Sequence, residues 1–299
     1  MNNAVTNTIS KPYAWILASR PRTLLAAVVP VIVGSSIAMH DGKFYLPAAI
    51  AALICSVLIQ IGTNFVNDLF DFLKGTDKKD RLGPIRVLAS GLISAREMKY
   101  GIVLVFGTCF LLGLYLVYLG GIYVLMIGVT SILAGIAYTA GPFPLAYNGL
   151  GDIFVFLFFG FVGTVGTYYV QAHEVTGLVY WASVPAGALI TNILVVNNFR
   201  DRDEDQLNGK KTLAVILGAR FAQFQYLFFM ILSYIIPFIV YVTFKKNVYV
   251  FLPLLSLPLS YKLVKMIFTL KGKELNKTLE LTAKLSGLYA FLFAVGILL

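Results

Sequence analysis

Apolar residues run almost unbroken through long stretches of this chain, and the breaks between them carry most of the charge. Nine runs approach the ~20 residues that a helix needs to cross a hydrocarbon layer. They fall at about 23–39, 45–66, 100–119, 121–139, 151–171, 178–198, 221–243, 248–266 and 281–298. The pattern predicts an all-α polytopic membrane protein with nine transmembrane helices. The first run is longer than a signal-peptide core and leads into a further span without a cleavage signature, so it is expected to persist as a span. The longest polar connections, 72–99, 199–220 and 267–280, leave no room for a separate soluble domain. One domain over 1–299 is the expectation.

Composition agrees with the pattern. Of 299 residues, 59% are hydrophobic and 13% charged, with a mean hydropathy of +0.82. A soluble domain carries about 25% charge. Cys55 and Cys109 lie inside apolar runs and read as small core residues, with no disulfide framework or thiolate metal site. His40 and His173 sit near segment ends without a partner motif and read as interfacial.

The basic residues set a direction. With the N-terminus inside, 21 of the 24 Lys and Arg fall on inside segments, and only Lys43, Lys245 and Lys246 fall outside. That asymmetry predicts an N-in, C-out topology. The net charge of +10 is thereby a feature of one membrane face, and no nucleic-acid partner is implied.

The acids are more informative. Eight of 14 fall in two clusters: Asp68, Asp71, Asp77, Asp80, and Asp201, Asp203, Glu204, Asp205. Both lie at the inside ends of even-numbered spans, so they meet on one side of the membrane. Either alone is compatible with ordinary wet charge beside a membrane; together they ask for a purpose. A carboxylate near the hydrocarbon core costs about 2.5–3.5 kcal/mol on insertion scales. Asn64, Asn67 and Asp71 are spaced to share one helical face, as are Asn197, Asp201 and Asp205. Each stripe offers only oxygen donors, which select Mg²⁺, Mn²⁺ or Ca²⁺ over zinc or copper. Two facing stripes of this kind suit two Mg²⁺ with a diphosphate between them. Lys74, Arg81, Arg86, Lys210 and Lys211 stand nearby to neutralise phosphate oxygens, and Gly75, Gly83, Gly91 and Gly209 would let the loops turn tightly.

At this point the residues resemble a family. NFVNDLFDFLKGTD (64–77) resembles the first aspartate-rich motif, NDxxDxxxGxD, of the UbiA-type intramembrane prenyltransferases. RDRDEDQLNGKKTLAVILG (200–218) resembles their second, with Asp201 and Asp205 at the DxxxD spacing. SRPRTL (19–24), DKKDRLGPIR (77–86), YTAGPFPLAYNGLGD (138–152) and NNFRDRDEDQLNGKKTLAVILG (197–218) are similar to the 1,4-dihydroxy-2-naphthoate polyprenyltransferases of menaquinone synthesis. One departure is Asp152, where many relatives would carry glutamate.

The resemblance implies a helical bundle around a central cavity, with a lateral opening to lipid. It implies Mg²⁺-dependent transfer of a polyprenyl group from its diphosphate to the naphthoate ring, with loss of carbon dioxide and diphosphate. Demethylmenaquinol would result. Asn67, Asp68, Asp71, Asp201 and Asp205 are then the expected metal residues, and Asn64, Lys74, Arg81, Arg86 and Lys210 the expected diphosphate residues. Asp71, Asp201 and Asp205 would act in catalysis. Tyr138 and Tyr147 are candidates to face the allylic cation, although interfacial tyrosine is the plainer reading of either. Arg22 could pair with the acceptor's carboxylate, or simply mark orientation. The expected setting is the bacterial cytoplasmic membrane, with the site facing the cytoplasm. Partners are a polyprenyl diphosphate, an aromatic acid and the bilayer; oligomeric state has no signature. Two alternatives stand beside this: the same fold acting on 4-hydroxybenzoate, homogentisate or another acceptor, and a secondary transporter, which predicts acids near the midplane.

Overall fold

A computed structural model describes residues 9–76, 82–83 and 85–299. Among these the regular structure is helical throughout. In chain order the main elements are α1 (Lys11–Ser19), α2 (Pro21–His40), α3 (Leu46–Leu73), α4 (Ala95–Ala137), α5 (Gly151–Ala172), α6 (Gly177–Leu207), α7 (Leu213–Ile216), α8 (Gly218–Phe244), α9 (Val248–Thr269) and α10 (Leu275–Leu298). Among the described residues eight stretches are long and apolar enough to cross a membrane, and the protein is an integral membrane protein.

The 43-residue α4 is a hairpin rather than one rod. Gly121 has φ 71° and ψ −158°, a conformation that only glycine adopts readily. A Cβ on Gly62 of α3 would meet the Phe106 ring, and a Cβ on Gly135 would meet the side chain of the adjacent Thr63. Residues 106 and 135 thus flank one level of α3, so the chain doubles back at Gly121. The two limbs are the expected runs 100–119 and 121–139. Ser94 caps the first limb by accepting from the Glu97 N–H at 3.3 Å, and Lys11 pairs with Glu97 at 2.9 Å, fastening α1 to it.

Two other spans depart from plain α-helix. α5 is π-helical over Phe156–Val162, where it crosses α6. The approach is glycine to glycine: a Cβ on Gly160 would lie 3.0 Å from Gly187 Cα, and one on Gly187 would lie 2.7 Å from the Phe156 carbonyl. Small residues let backbones approach where no hydrophobic effect drives helices together. α9 begins as a 3₁₀ helix over Val248–Ser256, with Pro253 inside it.

α6 is the most enclosed span, with 78% of its apolar window buried. It packs with α2, α5, α8 and α10, in a core that includes Val179, Leu189, Val196, Tyr226, Phe293 and, from α9, Leu263. Buried hydroxyls in this core bond back along their own helices, as from Ser183 to the Val179 carbonyl and Thr191 to that of Gly187. The outer surface is apolar: Val103 and Leu111 on α4 are 71% and 68% exposed, as contact with lipid requires. α3 and α6 both continue as helix beyond their apolar runs, to Leu73 and Leu207, and so carry the acids on ordered helix ends.

Candidate active site at the acidic end of the bundle

The two acidic helix ends face one another. Each is closed by a left-handed glycine, Gly75 at φ 70° and Gly209 at φ 73°, which turns the chain back toward its own carboxylates. The Lys210 ammonium lies 3.4 Å from Asp71 and 3.9 Å from Asp205, so one cation joins the first stripe to the second. Arg86 is 3.2 Å from Asp71 and 3.7 Å from Asp68. Asp68, Asp71, Asp201 and Asp205 are all buried.

Asp71 is the most connected of them. The Tyr147 hydroxyl donates to its second oxygen at 2.7 Å, and the Thr76 hydroxyl meets that of Tyr147 at 3.1 Å. Lys74 and Lys210 stand 4.1 and 4.8 Å from the Tyr147 ring centre. Lys74 also donates to the Thr139 carbonyl at 2.8 Å. Burial lowers the pKa of its ammonium; Asp71 opposes that shift and Lys210 adds to it.

Asp201 is held differently. Arg200 grips it with two bonds of 2.7 Å, donates to Asn197 at 2.8 Å, and reaches Asn276 on α10 at 2.7 Å. Asn276 in turn donates to the Leu82 carbonyl at 3.0 Å. This chain of bonds ties the second acidic helix, the last span and the loop after the first motif. Asn64 donates to the Ser19 carbonyl at 2.9 Å, and the Thr139 hydroxyl donates to Asn67.

Below these groups opens a cavity of about 400 Å³. Asn67, Asp71, Arg86, Asp201, Asp205 and Lys210 form its polar end, and Leu116, Val124, Phe154 and Phe158 are among the apolar walls. The arrangement can hold a molecule with an anionic head and a hydrocarbon body.

The structure moves several expected residues. Arg22 is exposed and does not line the cavity, whereas Arg20 does. The break between the helices separates them: Arg20 closes α1 in a left-handed conformation at φ 52°, whereas Arg22 lies in the first turn of α2. Asp68 lies behind the cavity wall against Arg86, so it steadies that arginine rather than facing the cavity. Tyr147 lines the cavity at its polar end, with its hydroxyl on Asp71 and the Lys74 and Lys210 ammonium groups near its ring. Lys74 touches Tyr147 and Thr139 rather than the cavity. Arg81 lies outside the described residues. Tyr138, Asn64, Asn67, Asp71, Arg86, Asp201, Asp205 and Lys210 all line the cavity. Sequence reasoning missed Arg20, Asn198 and Arg200; a base inside a dense charge run reads as an orientation marker unless its partners are seen.

The donor set fits a hard divalent cation. Among the described residues no three His, Cys, Asp or Glu side chains form a closed metal cage. Instead Asp71 and Asp205 share one ammonium, with asparagine carbonyls alongside. Mg²⁺ is commonly held so, by one or two carboxylates completed by substrate phosphates.

Comparison with known proteins agrees with the architecture. Residues 27–292 match the UbiA prenyltransferase family, and the chain belongs to that family. It is 40% identical over 216 residues to the 1,4-dihydroxy-2-naphthoate octaprenyltransferase of Escherichia coli, covering 70% of each chain. It is 32% identical over 296 residues to the enzyme of that name from Haemophilus influenzae, covering 95% of this chain and 96% of the relative. In fold it is similar to a UbiA homolog from Archaeoglobus fulgidus bound to GPP and Mg²⁺, with a TM-score of 0.69 and 17% identity over 95% of this chain and 99% of that one.

Proposed function

We propose that the protein transfers a polyprenyl group from its diphosphate to 1,4-dihydroxy-2-naphthoate in a Mg²⁺-dependent reaction that releases diphosphate and carbon dioxide. The product is demethylmenaquinol. The observation that carries this reading is the joining of Asp71 and Asp205 through Lys210 at the polar end of an otherwise apolar cavity. The names of the bacterial relatives support the acceptor, and the ligands of the Archaeoglobus homolog support the donor and the metal.

Asn67, Asp71, Asp201 and Asp205 would hold Mg²⁺, which supplies positive charge against the leaving diphosphate. Lys210 and Arg86 do the same from the protein itself, in a buried setting where charge acts strongly. The phenylalanines and aliphatic residues of the wall exclude water, which would otherwise capture the allylic cation. Tyr138 offers the aromatic surface along that wall. Arg20 takes the place expected for Arg22 as partner of the acceptor's carboxylate. Lys43, Lys245 and Lys246 lie at the end of the bundle away from the acids, which supports a cytoplasmic active site in the bacterial inner membrane.

Purified protein incubated with a polyprenyl diphosphate and a panel of aromatic acids tests the reading. The expected result is a product whose mass records gain of the prenyl group and loss of carbon dioxide, with the naphthoate preferred. Asp71→Asn should abolish product while the protein remains folded in detergent. Prenylation of 4-hydroxybenzoate alone, or full activity in excess chelator, would overturn the reading.

A further inference from the structure

One buried acid of the cavity stands apart. Asp71 faces Arg86 and Lys210, Asp68 faces Arg86, Asp201 faces Arg200, and Asp205 faces Lys210. Asp152, at the start of α5, is 4% exposed and lines the same cavity, yet has no ion-pair partner among the described residues. Its one side-chain bond is a 3.3 Å contact from the Gln225 amide on α8 to Oδ1. A carboxylate does not stay buried in an apolar wall without reason. It is also ill suited to the diphosphate end, where it would repel the substrate. It is suited to accept a hydroxyl.

Its neighbours fit that role. A Cβ on Gly151 would lie 3.1 Å from the Tyr138 hydroxyl, so that phenol sits against the turn that carries Asp152. Arg20, Tyr138 and Asp152 all line the cavity, which thereby offers a cation for a carboxylate and an anion for a hydroxyl.

We propose that Asp152 is a catalytic residue that accepts the acceptor's ring hydroxyl and takes its proton as the ring attacks. This rests on the function proposed above. The step balances: the allylic C–O bond breaks with its electron pair going to diphosphate, and a ring pair forms the new C–C bond. Asp152 holds the hydroxyl proton meanwhile. The ring–carboxylate bond then breaks, carbon dioxide leaves, its pair restores the aromatic ring, and Asp152 returns the proton. A hydroxyl that has surrendered its proton makes the ring carbon beside it a stronger nucleophile, and general bases typically contribute about 10²–10⁴-fold.

The test compares wild type, Asp152→Asn and Asp152→Glu on two acceptors: the free naphthoate, and its methyl ether at the hydroxyl beside the carboxylate. Binding of prenyl diphosphate with Mg²⁺ is measured by calorimetry in all three. On the free hydroxyl, Asp152→Asn should lose about 100-fold or more in kcat, Asp152→Glu should recover most of it, and diphosphate binding should stay within about twofold. On the methyl ether, which has no proton to give, wild type and Asp152→Asn should turn over alike. The proposal falls if Asp152→Asn keeps wild-type kcat on the free hydroxyl, or if it loses equally on both acceptors, which is the mark of a structural role. If wild type prenylates a different hydroxyarene, the acceptor reading fails but the same pair of substrates, made from that arene, tests Asp152. If it prenylates no hydroxyarene at all, both fall.

Discussion

Arg20 and Arg22 are two positions apart and meet different surroundings, because Arg20 closes α1 in a left-handed conformation and Arg22 lies in the first turn of α2. Arg20 turns into the cavity; Arg22 stays at the surface. SRPRTL offered Arg22 rather than Arg20 as the carboxylate partner, since the sequence does not show which of two neighbouring arginines faces a cavity. Arg200 was not readable. Its guanidinium is fully enclosed, and three partners on two spans account for its donors. Breaking a buried ion pair by removing one member leaves the other charge uncompensated and costs about 3–5 kcal/mol. Arg200→Met should therefore lower the thermal unfolding temperature in detergent by clearly more than Arg202→Met, whose pair with Asp203 is largely solvent-exposed. Equal melting temperatures would show that Arg200 does not brace the second motif.

At the scale of elements, α5 and α6 show how glycine placement builds the site. The Gly160–Gly187 contact brings two backbones together where α5 is π-helical, and Phe154 and Phe158 from that span line the cavity. Any side chain on Gly187 collides with backbone, which cannot swing aside as a flexible side-chain tip can. Gly187→Ala is expected to cost about 1–3 kcal/mol, the usual penalty for overpacking, seen as a lower melting temperature with a smaller loss of diphosphate binding. The helical spans themselves were legible from apolar run length. The sharp return at Gly121 was legible too, as a break between two runs, though the run pattern alone said nothing of how closely the limbs pack on α3. The 3₁₀ start of α9 and the π segment of α5 were invisible, since apolar run length does not distinguish one helix type from another.

At the scale of the whole molecule, one end collects the acids, Arg86, Lys210 and the start of α10, while the other holds Lys43 beside Glu174 and Lys246 beside His40. A single reactive cysteine placed at Lys273 or at Lys245 reads that polarity, in a Cys55→Ser, Cys109→Ser background; both native thiols are buried. In sealed inside-out vesicles an impermeant thiol reagent should label Lys273→Cys and leave Lys245→Cys untouched. The reverse pattern would place the site on the outer face.

The sequence alone determined the membrane class, the helical spans, the one-sided charge and the two oxygen-bearing stripes, because hydrophobic length and helical spacing are local properties that survive without a fold. Only the tertiary structure decided which members of those stripes face the cavity, which arginine lines it, and that Asp152 has no ion-pair partner among the described residues. Those outcomes depend on contacts between residues more than a hundred positions apart, such as Lys210 with Asp71. Spacing along one helix cannot specify what stands opposite it.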